Sequence, residues 1–361
     1  MTIAAVRTKL LFLVVLGFGA MFVLLASGCR EEGVADPASD DATVPVQSGA
    51  MHKSGRFYSG TIIASDPSIR KNGSDMEMFY TDLDMSKERT VIARAESTDG
   101  VNWQPQGEAD GIKGLVIAGK DGAWDENIES AAVTEGDGGY LLFYSGYRDK
   151  GTPMKGFPAA LGLATSTDGK NFTRASDAPV MEPTKGWYDN DAIYSPTILR
   201  DGGLYHMIYV GHSYTDFSKI GAGGVYLLHA SSPDGRNWTK SPEPVARPGQ
   251  FDDWRRDGLA EPYLIKRGKD DYLLFYTGLD GEKRAIGVAT GPSPTGPWAF
   301  GSKPLIVPGQ GSEQDAHQVL APAVMLDGEN LRVWYLGANT KGALKIGEAT
   351  GNVEEAISAT R

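Results

Sequence analysis

The sequence contains one pattern five times, and this repetition constrains the fold more than any other feature. An apolar and aromatic segment recurs as MFYTD (78–82), LFYSG (142–146), IYVG (208–211), LFYTG (274–278) and WYLG (334–337). The tyrosines of successive copies are 64, 65, 67 and 59 residues apart. Units of this length do not each bury a hydrophobic core, so the copies must stack against one another.

Each repeat has the composition of a small antiparallel sheet. A second segment precedes the aromatic one, as SDPSIR, ESAAVT, SPTILR, EPYLIK and APAVML, and a third follows it and ends in a turn such as STDGVNW. Runs rich in Val, Ile, Tyr and Phe between Gly, Asp and Pro are typical of strands joined by tight turns. The pattern predicts an all-β fold: a five-bladed β-propeller with four-stranded antiparallel blades. A four-repeat β-sandwich is the alternative.

Two finer predictions follow from the same repeats. The RFYSG segment near residue 56 precedes the first copy and is a candidate for the strand that closes the ring. The turns STDGVNW, STDGKNF and SPDGRNW each place an aromatic residue three positions after the glycine. Because Asp-Gly pairs favour tight turns, we interpret these motifs as structural, with the aromatic side chain packed between blades.

The N-terminal residues have the pattern of a targeting segment. Arg7 and Lys9 precede an apolar run (10–26), and small residues then lead to Cys29, the single cysteine of the chain. This order is typical of a secretory signal peptide, and an uncleaved transmembrane anchor is the alternative. The segment resembles the lipobox of bacterial lipoproteins. That resemblance implies a signal peptide at 1–28 and lipidation of Cys29.

The segment that follows is predicted to be a tether. Residues 29–50 are acidic, small and proline-bearing after the cysteine, and they show no hydrophobic period. Residues 51–361 are then the propeller and the catalytic domain. A covalent lipid attaches a soluble domain to a membrane surface, so we expect a monomer at the bacterial cell envelope, on the periplasmic or cell-surface side. The formal net charge of −11 argues against a nucleic-acid partner.

Alignment of the segments that precede the aromatic strands places one residue of each repeat at the same point. These residues are Asp66, Glu129, Ser195, Glu261 and Ala321. If the segments are the innermost strands, three carboxyl groups face one central cavity. Like charges in one site raise at least one pKa, which keeps a carboxylic acid protonated for general acid catalysis. For a ring radius of about 4–5 Å, Asp66 and Glu261 would be roughly 7.6–9.5 Å apart, a distance suited to inversion, and Asp66 and Glu129 roughly 5–6 Å.

The repeats resemble the five-bladed propeller glycosidases, namely family 43 of the glycoside hydrolases and its relatives in families 32, 62, 68 and 130. The resemblance covers residues 56–351 and rests on Asp66-Pro67 in the first repeat, Glu261-Pro262 in the fourth, and the aromatic turns. It implies that Asp66 is the general base and Glu261 the general acid.

The third repeat departs from that family. Family 43 usually has a third aspartate, which tunes the pKa of the acid, where this chain has Ser195. We expect Asp191 or Asp189 to replace it from the same repeat, or Glu129 from the second repeat.

The segments that enter the blades are polar and aromatic, as expected of loops that bind a sugar. The candidate substrate-binding residues are Trp124, Asp125, Trp187, Asp189, Arg255, Arg256, Asp257 and His317. The two tryptophans have an alternative role as locks between blades. The two arginines lie near the candidate acid, where they would orient it or bind an anionic substrate. A structural role is the alternative for the histidine.

These features favour a glycoside hydrolase that acts on an oligo- or polysaccharide, such as an arabinoside, a xyloside or another furanoside, with inversion. No cofactor is required, and the histidines lack metal-ligand spacing, although the family resemblance adds a structural calcium ion in the central channel as an option. One alternative is a carbohydrate-binding propeller lipoprotein without catalysis. Another is a phosphate-dependent glycoside phosphorylase, whose cationic pocket Arg255 and Arg256 would supply.

Overall fold

The computed structural model describes residues 49–148, 158–213, 224–311 and 313–361. Five antiparallel sheets follow one another along this part of the chain, which confirms the all-β five-bladed propeller and rules out the four-repeat sandwich. The expected signal peptide, Cys29 and nearly all of the tether lie outside the described residues. Among the residues described, no helix has the length and apolar character needed to cross a membrane.

Each blade begins with its inner strand at the central axis and runs outward. Blade 1 contains β2 (Ser65–Asn72), β3 (Asp75–Asp84), β4 (Arg89–Ser97) and β5 (Gln104–Pro105). It also carries a hairpin of β6 (Glu108–Ala109) and β7 (Ile112–Lys113), and β8 (Leu115–Ala118), which pairs with β4. Blade 2 contains β9 (Asn127–Gly136), β10 (Gly139–Tyr147), β11 (Ala160–Ser166) and β12 (Thr173–Arg174).

The next two blades repeat the same order. Blade 3 contains β13 (Ala192–Asp201), β14 (Leu204–Ser213), β15 (Gly224–Ser232) and β16 (Thr239–Lys240). Blade 4 contains β17 (Gly258–Gly268), β18 (Asp271–Asp280), β19 (Lys283–Gly291) and β20 (Ala299–Phe300).

Blade 5 closes the ring with strands from both ends of the chain. Its first three strands are β21 (Gln318–Asp327), β22 (Asn330–Ala338) and β23 (Leu344–Asn352), and its outer strand is β1 (His52–Tyr58). Antiparallel pairing of β1 with β23 confirms that the segment near residue 56 closes the propeller. A short helix, α1 (Val353–Thr360), follows β23 and buries Val353, Ala356 and Ile357 against a core cluster of blades 4 and 5.

The aromatic turns lock neighbouring blades together, as the sequence predicts. In the first turn, Asp99 accepts hydrogen bonds from the backbone N–H groups of Val101 and Asn102, both at 2.8 Å. The aromatic residue that follows each turn meets a ring of the preceding blade edge to face. These pairs are Trp103–Trp334, Phe172–Phe79 and Trp238–Phe143, with ring centroids 6.0, 5.8 and 5.6 Å apart. Such pairs stabilise the interface beyond the area they bury.

Candidate active site

Every inner strand contains the same β-bulge, and each bulge places one side chain in the central channel. The bulged residues have left-handed backbone conformations, with φ between 46° and 54°. We call them the axial ring: Asp66, Ser130, Ser195, Glu261 and Ala321. The register between the first two strands of each blade shifts at this point. Because left-handed backbone is unfavourable for residues other than glycine, five occurrences at one level indicate a site whose surroundings impose it.

The axial ring corrects the sequence alignment in blade 2. The alignment places Glu129 at the ring position, but the bulged residue is Ser130, and Glu129 pairs with Ser145 one position earlier. The other repeats have Pro after the ring residue, whereas blade 2 has Ala131. Because no proline marks the bulge in blade 2, the sequence pattern favours Glu129 over Ser130 at the ring position. The axial ring therefore contains two carboxyl groups rather than three.

Hydroxyl groups fix the ring residues from one blade to the next. Ser130 donates its backbone N–H to Oγ1 of Thr81 at 3.1 Å, and Ser195 donates to Oγ of Ser145 at 2.8 Å. Ala321 likewise donates to Oγ1 of Thr277 at 3.0 Å. Each acceptor lies on the second strand of the preceding blade. These bonds couple the position of a ring residue to the neighbouring blade, so the ring is held as one unit.

The channel contains a cavity of about 460 Å³ that the inner strands of all five blades line. All five residues of the axial ring contribute to its wall, and the lining continues along the strands to Lys71 and Lys266. Asp66 is half-buried and Glu261 is 8% exposed. The two ring carboxyls therefore share a largely enclosed space, where charge interacts more strongly than in bulk water.

Burial and a neighbouring charge make Glu261 a proton carrier near neutral pH. Burial and the negative charge of Asp66 raise the pKa of Glu261 to about 7. The hydroxyl of Thr277, the N–H of Ala321 at 3.1 Å from Oε2 and the charge of Arg284 oppose this shift. Burial also raises the pKa of Asp66, against hydrogen bonds from Thr81 and Ser65. A carboxyl with a pKa near 7 is suited to general acid catalysis.

Glu129 belongs to the same electrostatic site although it is not a ring residue. It is 5% exposed, and its Oε1 accepts a hydrogen bond from the hydroxyl of Tyr147 at 2.6 Å. Burial and the charge of Asp66 raise the pKa of Glu129 to about 7, and the Tyr147 bond opposes them. Asp66 thus acts on both Glu129 and Glu261, so the titrations of the three carboxyls are coupled through its charge.

The two aspartates of blade 3 that the sequence offers as a third carboxyl lie in different surroundings. Asp191 accepts a hydrogen bond from the side chain of Asn190 at 2.8 Å, and its charge acts on the buried His212. Asp189 is fully buried and accepts bonds from Tyr209 at 3.2 Å and Lys240 at 2.5 Å. Neither acts on the pKa of Asp66, Glu129 or Glu261, whereas the charge of Asp66 couples it to Glu129.

Several residues that the sequence suggests for substrate binding belong instead to a buried polar contact that is repeated from blade to blade. In each case a tyrosine of the second strand bonds a charged residue of the segment that enters the blade. Asp125 accepts from Tyr144 at 2.8 Å and from Arg174 at 2.7 Å, and Asp315 accepts from Tyr335 at 2.8 Å and ion-pairs with Lys53 at 2.8 Å. The Asp189 contacts follow the same pattern.

Blade 4 contains this contact with the charges reversed. Arg255 is 4% exposed and donates to the hydroxyl of Tyr276 at 3.2 Å and to the carbonyl of Gly301 at 2.6 Å, while Asp253 neutralises it. The guanidinium is therefore engaged within the blade and does not face the cavity.

Tryptophans accompany the contacts in two blades. Trp124 stacks on Tyr144 at 6.3 Å with an interplanar angle of 10°, and Trp254 stacks on Tyr276 at 6.0 Å and 11°. The structure therefore assigns Trp124, Asp125, Asp189 and Arg255 to blade architecture.

The remaining candidates lie away from the cavity. Trp187 packs edge-on against Tyr188 at 5.0 Å. Arg256 is exposed and lies 3.8 Å from Asp280, and Asp257 accepts the N–H of Gly281 at 2.6 Å. His317 is also exposed, and its backbone N–H donates to the carbonyl of Ala338.

Arg284 is a cation that acts on Glu261, and it is not among the residues that the sequence suggests for the site. Its side chain is 2% exposed, and Nη1 donates to the carbonyls of Gly281 and Lys283 at 2.7 and 2.8 Å. Its Nε has no hydrogen-bond partner among the described residues, and its charge acts on Glu261. The register places Thr90, Val225 and Leu344 at the same position of other blades. The sequence signal that points to Arg284 is a charged residue at a position where these other blades have uncharged residues.

Within the described part of the chain, no group of three or more His, Cys, Asp and Glu side chains is arranged to hold a metal ion. No step below depends on the calcium ion that the resemblance offers as an option.

Comparisons with known proteins agree with this architecture. No protein-family model matches the chain. A curated protein of similar sequence is a 1,2-β-oligomannan phosphorylase from Thermoanaerobacter sp. (strain X514), 30% identical over 106 residues, which are 29% of this chain and 35% of that protein. The match thus spans about a third of the relative's length.

Solved structures match over most of the chain. A β-1,2-mannobiose phosphorylase from Listeria innocua, in complex with β-1,2-mannobiose, has a TM-score of 0.63 at 14% identity, over 86% of this chain and 99% of that chain. A thermostable family-43 glycoside hydrolase has a TM-score of 0.58 at 19% identity, over 80% and 88%. This chain has their fold. Since that fold occurs in both hydrolases and phosphorylases, the reaction must be argued from the site.

Proposed function

We propose that this protein is a glycoside hydrolase that inverts the anomeric centre. Asp66 activates a water molecule, and Glu261 protonates the oxygen of the leaving group. One observation carries the proposal: Asp66 and Glu261 face a single cavity, and burial together with the charge of Asp66 raises the pKa of Glu261 to about 7. Acid–base cleavage of a glycosidic bond requires two carboxyl groups, one of which keeps its proton.

The blade positions of the two carboxyls support inversion. Asp66 lies on blade 1 and Glu261 on blade 4, and these blades are not neighbours in a ring of five. In a regular pentagon, non-adjacent corners are about 1.6 times as far apart as adjacent ones, and inverting enzymes need the wider separation to fit a water molecule. Glu129, whose pKa is raised to about 7 by burial and by the charge of Asp66, is then the third carboxyl of the site.

Phosphorolysis is the second candidate, and the similarity to the oligomannan phosphorylase favours it. In that reaction phosphate replaces water as the nucleophile, so the site needs a cation beside the acid and little competing negative charge. Arg255 is engaged within blade 4, but Arg284 supplies a positive charge near Glu261. Three clustered carboxyls repel a phosphate dianion, which is why we rank hydrolysis first.

Product analysis separates the candidates. The 49–361 fragment would be incubated with chromogenic arabinosides, xylosides, fructosides and galactosides, and with β-1,2-mannobiose, in buffers with and without phosphate. Free sugar whose first-formed anomer is inverted, observed by NMR without phosphate, is the expected result. Formation of a sugar 1-phosphate only in phosphate buffer would establish phosphorolysis. Saturable binding without turnover of any substrate would contradict both and leave a carbohydrate-binding protein.

The proposed location of the enzyme is the bacterial envelope, with Cys29 as the lipid anchor. The order of basic, apolar and small residues before this cysteine supports the proposal. We expect labelled palmitate to be incorporated into the full-length protein when it is expressed in bacteria, and Cys29→Ala to abolish the label. Equal labelling of the variant would exclude this anchor.

A further inference from the structure

Tyr263 lies next to the axial ring on the inner strand of blade 4, and its side chain extends away from that blade. It follows Glu261 by two residues on β17, is half-buried and lines the cavity. Its ring packs against core clusters that contain Ala323 and Val324 of β21. The side chain therefore leaves blade 4 and crosses the inner edge of blade 5.

The hydroxyl of Tyr263 ends on blade 1. It donates a hydrogen bond to the carbonyl oxygen of Ile69 at 2.9 Å, and the backbone N–H of Ile69 donates to the hydroxyl oxygen of Tyr263 at 3.4 Å. Ile69 follows Asp66 by three residues on β2. A single side chain thus connects the strand that carries Glu261 to the strand that carries Asp66.

Blade 5 is the part of the ring where this connection matters most. Its sheet is completed by pairing between β1 and β23, so hydrogen bonds rather than a continuous chain close the propeller here. The ring residue of blade 5 is Ala321, which bonds Oε2 of Glu261 through its backbone N–H and offers only a methyl side chain towards the channel. The small side chains of Ala321 and Ala323 leave the space that the tyrosine ring crosses.

We propose that Tyr263 is a positioning residue that fixes the distance between Asp66 and Glu261 across blade 5. This inference rests on the proposed function, because the distance determines whether a water molecule fits between base and acid. A displacement of about 1 Å in a catalytic constellation costs on the order of 100-fold in rate. Without the hydrogen bond, the two strands lose this link across blade 5 and their separation increases.

Tyr263→Phe tests this role because it keeps the ring and removes only the hydroxyl. With a glycoside that the wild type cleaves, we expect kcat to fall at least tenfold and KM to change less than twofold. The upper limb of the pH–rate profile should move to lower pH, because Asp66 then acts on Glu261 from a greater distance. Tyr58→Phe is the matched control, since it removes the hydroxyl contact with Tyr80 at 2.9 Å and touches no ring carboxyl. This control should lower Tm to a similar extent and leave the profile unchanged.

Titration of the carboxyls by ¹³C NMR tests the same inference without turnover. The Glu261 signal, assigned with Glu261→Gln, should titrate at lower pH in Tyr263→Phe than in the wild type, and at the wild-type pH in Tyr58→Phe. An unchanged midpoint in Tyr263→Phe, or an equal shift in both variants, overturns the positioning role. If Tyr263→Phe does not fold, Tyr263→Leu takes its place with the same expectation. A wild type that cleaves no glycoside would contradict the proposed function alone, since the NMR comparison still reports on Tyr263.

Discussion

Asp66 and Glu261 lie on blades that are not neighbours in the ring, yet the charge of Asp66 raises the pKa of Glu261. Their left-handed backbones, with φ of 48° at both residues, direct the two side chains into one cavity. Since the strain of that conformation recurs in every blade, the fold imposes it, and two of the five positions have acquired carboxyls.

Removal of either ring carboxyl should abolish hydrolysis. We expect Asp66→Asn and Glu261→Gln each to lower kcat by roughly 10²–10⁴-fold, the usual contribution of a general base or acid. Because each carboxyl has a raised pKa, its charged form destabilises the folded protein, and the amide variants should melt at or slightly above the wild-type temperature at pH 8. Glu108→Gln, which changes an exposed carboxyl of the β6–β7 hairpin, is the control. A kcat within tenfold of the wild type in either ring variant would refute the assignment.

The dependence of stability on pH should report the buried glutamate. Glu261 has a folded pKa of about 7, above its ordinary value, so the folded state retains a proton that the unfolded state releases between about pH 4.5 and 7. The free energy of unfolding that this group provides is therefore present below that window and lost as pH rises through it, by an amount on the order of 3 kcal/mol.

Buried histidines oppose this trend in the wild type, so the comparison must be made against a variant. Burial lowers the pKa of His212 and His229 to about 4, which makes stability increase with pH until about pH 6.5. The histidines are common to both proteins. The difference in Tm between Glu261→Gln and the wild type should therefore grow in favour of the variant from pH 5 to pH 8, as measured by scanning calorimetry. A constant difference would mean that Glu261 titrates at its ordinary value.

Arg284 should set the upper limit of the active pH range. Its positive charge lowers the pKa of Glu261, so Arg284→Met should raise that pKa and move the upper limb of the pH–rate profile to higher pH. Arg284→Lys should shift the limb less, since it keeps the charge. Arg256→Met removes an exposed arginine of the same blade and should leave the profile unchanged. Superimposable profiles for all three variants would exclude an electrostatic role for Arg284.

The Asp125 contact should matter for stability and not for catalysis. Asp125→Ala leaves Arg174 and the hydroxyl of Tyr144 without their buried acceptor, a loss that costs roughly 3–5 kcal/mol. Tm should fall by several degrees, while kcat/KM at 25 °C stays within twofold of the wild type. Asp177→Ala, which removes an exposed ion pair with Lys120, should change neither quantity appreciably. A large loss of kcat/KM in Asp125→Ala would restore the substrate-binding interpretation.

Most of the fold could be predicted because each repeat carries the same short motifs in its sequence. Tyrosines at a regular period and Asp-Gly turns define the strands and their ends, and these features depend on neighbouring residues alone. The alignment failed by one position in blade 2, where Ala131 replaces the proline that marks the other bulges.

The site was harder to predict because it depends on contacts between distant segments. Charged residues before the inner strands have the same sequence pattern whether they bind a sugar or a tyrosine of their own blade. Asp125 and Arg255 bind such a tyrosine. Tyr263 and Arg284 act on residues of the site only after the ring closes.

Closure of the ring by β1 also bears on how the protein is made. His52 pairs with Thr350, so β1, the first of the described strands to be synthesised, acquires its partner only when β23 has been made. A long unpaired apolar edge would be prone to aggregation during that interval. The sequence of β1, HKSGRFY, is mostly polar, and only its final aromatic residues pack against the blade. The strand that completes the propeller is therefore suited to remain in solvent throughout synthesis.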